Sequence, residues 1–144
     1  MNTRSIAYWT STGILAFAML SGGVVYLLGV EASVEGFVVL GYPLYVITIL
    51  GVWKVLGGLA LLAPGFARVK EWAYAGIFFD VTGALVSHVA AGDYGVYAFH
   101  VVINVAFTVL VIVSWATRPR SRTLGALFPA PVPQRGRLML GQPS

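Results

Sequence analysis

Four apolar runs, Ser5 to Leu28, Tyr45 to Ala63, Glu71 to Ala90 and Val96 to Ala116, take up most of this 144-residue chain. Each is long enough to cross a hydrocarbon layer of about 30 Å as a helix, which takes about 17–25 residues. No water reaches such a segment, so its backbone must close its own hydrogen bonds, and a single run does that only as an α-helix. Charged residues make up 10% of the chain, against about 25% in soluble domains. The expected fold is therefore all-α, an integral membrane four-helix bundle over residues 1–117. A basic, Pro-rich tail, 118–144, follows it and is expected to be flexible, because Pro129, Pro131, Pro133 and scattered Arg cannot bury enough apolar surface to order it.

Charge placement orients the bundle. Lys and Arg accumulate in short cytoplasmic segments. Arg4 precedes the first span, Arg68 and Lys70 lie between the second and third, and Arg118, Arg120, Arg122, Arg135 and Arg137 follow the fourth, so eight of the nine basic residues fall on one side. Glu31, Glu35 and Asp93 occupy the other two connections. Both termini are thus predicted cytoplasmic, in a multi-pass protein of the cell membrane. The net charge of +4 is explained by topology and by contact with anionic lipid, and no recognition motif points to nucleic acid. Without cysteine the chain alone offers no thiol–disulfide chemistry, thiolate metal site or Fe–S cluster. The first apolar run is too long for a signal-peptide h-region of about 7–15 residues and reads as a retained span.

Local signals divide the chain further. Tyr8, Trp9 and Tyr26 lie at the two ends of the first span and read as interfacial anchors. Gly13, Ala18 and Gly22 supply small-residue spacing for close approach of a second helix. The segment Glu31 to Pro43 is too apolar to extend into water and is expected to lie on the outer surface or to dip slightly inward, with Glu31 and Glu35 on one face. Pro64-Gly65 makes spans two and three a hairpin, and Ala91 to Gly95 is the matching turn outside.

Lys54 and Asp80 break the apolar pattern near mid-membrane, where an ionised side chain costs at least ~2.5–3.5 kcal/mol and usually faces a partner or a wet cavity. At 1.5 Å per residue, Lys54 lies ~13–14 Å below the outer end of its span, Asp80 ~15 Å and Asn104 ~12 Å, so three polar groups on three helices share a level. His100 is one turn outward of Asn104, and His88 is close to the outer boundary. Ala73, Gly76, Asp80, Gly83 and Ser87 form one stripe, and Gly51, Lys54, Gly57 and Gly58 cluster likewise, which predicts that both charges project between spans two and three. A buried ion pair that only fixes register is the plain reading. The additional groups His88, His100 and Asn104 on the outer half, above an apolar inner half, point to an outward-facing polar pocket. Both histidines lie near the surface, which disfavours a haem held between them, and no metal site is expected.

Read in order, Leu40-Gly41-Tyr42-Pro43, Leu50-Gly51-Val52-Trp53-Lys54, Lys70-Glu71-Trp72-Ala73-Tyr74-Ala75-Gly76, Phe79-Asp80, Ser87-His88 and Gly92-Asp93 resemble the DoxX-like family of small membrane proteins. The resemblance covers Leu40 to Asp93 and leaves the first span, His100, Asn104 and the tail unmatched. It implies a four-span bundle in a prokaryotic cell membrane and an association with thiosulfate:quinone or quinone-stress chemistry, without a defined reaction for most members.

Three functions then compete. In the first, the pocket binds a quinone or similar small hydrophobic molecule as part of membrane redox chemistry, with Lys54, Asp80 and His88 as the reactive groups and Asn104, His100, Glu31, Tyr42 and Trp53 as binding residues; a copurifying quinone supports it. In the second, a cofactor-free isomerase or hydrolase uses Asp80 or Glu31 as acid or base on a lipophilic substrate; turnover without electron carriers marks it. In the third, the polar stripe merely holds a scaffold to a protein partner or a second copy.

Overall fold

Asn2 starts the first helix: its side-chain oxygen accepts from the amide of Ser5 at 2.9 Å, satisfying one of the amides a helix start leaves unpaired. The computed structural model describes residues 2–92 and 98–124. Its α-helices are α1 (Thr3–Leu27), α2 (Glu31–Val39), α3 (Tyr45–Leu62), α4 (Ala67–Ala90) and α5 (Ala98–Thr117), followed by a 3-10 turn at Arg120–Arg122. All but α2 are long and apolar enough to cross a membrane, and no strand occurs among the described residues. The turn between α3 and α4 is made by Gly65 at φ 71° and Phe66 at φ 49°, a left-handed pair that reverses the chain after Pro64.

The segment expected on the surface contains a nine-residue helix, α2. Phe37 holds it to the bundle: its ring is buried, edge-on to Tyr26 at 5.3 Å and 6.0 Å from Tyr42. Glu31 and Glu35 remain exposed. The long helices close a ring in which α1 packs along α3 and α5, and α4 along α5 and α3. Leu15, Met19, Leu61, Tyr74, Ile77 and Val111 meet at its centre.

The small residues act differently from expectation. Gly13 and Gly22 face open space, and α1 instead approaches α3 through Ala16 and Gly23, which meet Gly58 and Gly51. Of the α3 glycines expected beside Lys54, only Gly57 turns to α4, where a Cβ would lie 3.5 Å from Ile77. A Cβ on Gly23 would come within 2.9 Å of the Gly51 carbonyl oxygen and 3.0 Å of the Val55 backbone nitrogen, neither of which can swing aside. Gly23→Ala is accordingly expected to cost about 1–3 kcal/mol by forcing the helices apart, while Gly22→Ala leaves the melting temperature unchanged. Equal melting of the two variants would show that this seam is not tight.

The half of the bundle near the termini, expected to be almost purely apolar, carries a polar network. Ser114 is shared by Thr12 and Tyr74 at 2.7 Å each, all three buried. Arg118 pairs with Glu71 at 2.7 Å, Trp115 donates its indole N–H to the same carboxylate at 3.0 Å, and Arg122 donates to Tyr8 at 3.2 Å. Isolated hydroxyls in apolar runs give no signal until they pair across helices, and Arg118 and Arg122 looked like topology signals alone. The remainder of the tail, 125–144, and the turn residues 93–97, including Asp93, lie outside the described residues.

Candidate functional site

The α3–α4 hairpin sets Lys54 and Asp80 at matching depth, and Lys54 Nζ lies 2.5 Å from Asp80 Oδ2. Their side chains are only 14% and 17% exposed, so each charge has given up most of its water and depends on the other. Helix α1 closes the third side: Lys54 Nζ stands 5.4 Å from the ring centroid of Tyr26, a cation over an aromatic face. The ammonium is therefore fixed from two directions.

Towards the end opposite the termini, this pair forms the floor of a cavity of about 810 Å3. Tyr42, in the link from α2 to α3, shares a 2.6 Å hydrogen bond with Ser87 of α4 and so ties that link across the cavity. His88 and His100 stack at 4.8 Å and 18° across the α4–α5 seam. One turn deeper, Asn104 donates its amide to the His100 carbonyl at 2.8 Å. Phe37 and Phe107 contribute apolar wall. An ammonium, two carboxylates, two imidazoles, a carboxamide and hydroxyls thus line one space, which can take up both an apolar ring and the polar atoms it carries.

Of the residues singled out in the sequence, Lys54, Asp80, His88, His100, Asn104 and Tyr42 line this cavity. Glu31 is not brought to it. It is exposed in the first turn of α2, and Glu35, one turn on, lines the wall instead. Trp53 points away too: 66% exposed, it borders a second space, a groove of about 500 Å3 between α3 and α4. Gly76, expected to mark a helix contact, has nothing within 4 Å of a Cβ and hollows out that groove; Gly83, equally open, lines the larger cavity. Tyr26 was missed, because a ring at the end of a span reads equally well as an interfacial anchor. Among the described residues no three His, Asp or Glu side chains group as metal ligands.

Neither the characterised proteins nor the solved structures contain a match to the chain. The model of the DoxX-like family matches residues 10–114. That match reaches well beyond the two central spans in which the resemblance was first legible, taking in most of α1 and α5 and with them Tyr26, His100 and Asn104. With its four membrane-spanning helices and the family pattern running through all of them, the chain belongs to the DoxX-like family.

Proposed function

We propose that the cavity floored by Lys54 and Asp80 binds a small hydrophobic molecule with polar carbonyl or hydroxyl groups, a quinone or a close chemical relative, as a component of membrane redox chemistry. The observation that carries this reading is the convergence of Lys54, Asp80, Tyr42, His88, His100 and Asn104 on one cavity of about 810 Å3, a volume suited to a single small ligand. Register alone needs the ion pair and nothing more. In this reading the Lys54 ammonium donates to a ligand oxygen, Asp80 and the Tyr26 ring hold the ammonium in place, and His88 exchanges protons at the mouth.

Equilibrium binding of a tailless benzoquinone to the protein in lipid nanodiscs tests it. Wild type is expected to bind. Asn104→Leu, which replaces a polar wall with an apolar one, is expected to lose about tenfold, the worth of one hydrogen bond of about 1.4 kcal/mol, with unchanged melting. No saturable binding, or identical binding by Asn104→Leu, would return these groups to interhelical glue.

The same reading places the cavity mouth outside a prokaryotic cell membrane and both termini in the cytoplasm, following the basic residues at Arg4, Arg68, Lys70 and beyond Thr117. The chain has no cysteine, so single replacements report cleanly. Ala32→Cys is expected to react with an impermeant maleimide in intact cells and Ala67→Cys only after permeabilisation. Reversed labelling would invert the topology.

A further inference from the structure

The groove between α3 and α4 and the larger cavity are joined at the ion pair: Lys54 and Asp80 line both, together with Met19, Leu50 and Phe79. Apart from those two charges, the groove is walled by Met, Leu, Ile, Val, Phe, Trp, Ala and Gly side chains. It follows α4 from Asp80 back to Val69, eleven residues or ~16 Å towards the end that carries the termini. Its rim is exposed along the bundle flank, with Trp72 at 82% and Phe79 at 70%. Charged groups at one end and only aliphatic and aromatic side chains along the remainder is the profile of an amphiphile's site, head at the charges and chain in the groove.

We infer that the groove holds the apolar tail of the molecule whose head occupies the cavity, so that the ligand is a tailed, membrane-dissolved one that reaches the ion pair sideways from the bilayer. This rests on the reading of the cavity as a ligand site. Gly76 and Ala60 create the room: a Cβ at Gly76 meets no atom within 4 Å, and a longer side chain at either position would occupy the tail's path. Lipid chains are as apolar as the groove, so the tail gains little affinity by leaving the bilayer. What the groove supplies is direction. It fixes which way the head points when it meets Lys54, and that makes position rather than affinity the quantity to measure.

A benzoquinone carrying an alkyl tail with a diazirine at its far end, photoactivated on the protein in nanodiscs, is the probe. Labelling is expected to concentrate on peptides containing Leu56 to Ala60 and Val69 to Ala73, and to fall several-fold with excess of the same quinone lacking the diazirine. Gly76→Leu, with Ala60→Leu as a second variant should the first fold poorly, is expected to remove that labelling while binding of the tailless benzoquinone persists. Labelling spread over the lipid-facing sides of all four long helices, or not competed, would overturn the tail site and leave the cavity reading standing, as an ordinary lipid chain would then be the groove's occupant. Loss of tailless binding in both variants would overturn the division into head and tail compartments. Failure of wild type to bind the tailless benzoquinone would instead defeat the cavity reading itself, and the tail site with it.

Discussion

Lys54→Met and Asp80→Asn are each expected to lower the stability of the bundle by about 3–5 kcal/mol, and the double variant by clearly less than the sum, because removing one partner of a buried pair strands the other charge where little water reaches it. The 2.5 Å contact leaves little room for water between the groups. Their residual exposure of 14% and 17%, and the cavity that borders them, let some water reach the survivor, which places the loss towards the lower end of that range. Unfolding of purified protein in one detergent, compared across the four members of the cycle, gives the coupling. Additivity would mean that the two side chains do not act on each other. The same cycle separates structure from binding: a double variant that recovers stability yet fails to bind a tailless benzoquinone assigns the charges a purpose beyond register.

How far the sequence reveals this arrangement depends on which solvent surrounds each residue. Charges in hydrocarbon are conspicuous, so Lys54 and Asp80 stand out, and the rise per residue brings them and Asn104 to one level from the sequence alone. The faces of the helices are much harder to read. In water an apolar stripe marks the buried side, but a membrane helix is apolar all round and its lipid side looks like its core. Neighbouring glycines make the point: Gly22 and Gly23 are chemically equal in the sequence, one turned to open space and the next pressed against Gly51, about 100° further round the helix. Tyr26 and Ser114 are hidden for a related reason, since a lone hydroxyl in an apolar run shows neither its face nor its partner. Helix α2 falls between the two cases: its Glu31 and Glu35 are spaced for a helix, but only the contacts of Phe37 show where it docks.

Lys70 is where the topology signal conceals most. As a basic residue in a short connection it calls for no further explanation in the sequence, yet its side chain has 0% exposure. The ammonium donates to the carbonyls of Ala60 at 2.7 Å, Leu61 at 3.2 Å and Ala63, using its three donors on the last turn of α3, where helix carbonyls have no partner of their own. Its charge also opposes the negative end of the α3 dipole. Arg122 reinforces the same place from the C-terminal side, donating to the Leu61 carbonyl at 3.2 Å. Lys70→Met keeps the length and loses the three ammonium bonds, leaving the Ala60 and Ala63 carbonyls without a side-chain donor while Leu61 keeps Arg122; with about 1–3 kcal/mol for each buried group left unpaired, the expected cost is on the order of 3 kcal/mol. Lys70→Arg is expected to restore little, because a planar guanidinium cannot direct donors at three carbonyls gathered about one point. Arg68→Met is the control: it removes an equal topology charge from an exposed neighbour two residues away. Melting of the three variants in detergent decides the matter. If Lys70→Met and Arg68→Met melt together, Lys70 is a charge in a connection and nothing more; if Lys70→Met alone falls, the chain has used a cation at the end of the bundle near the termini to finish the helix that presents Lys54.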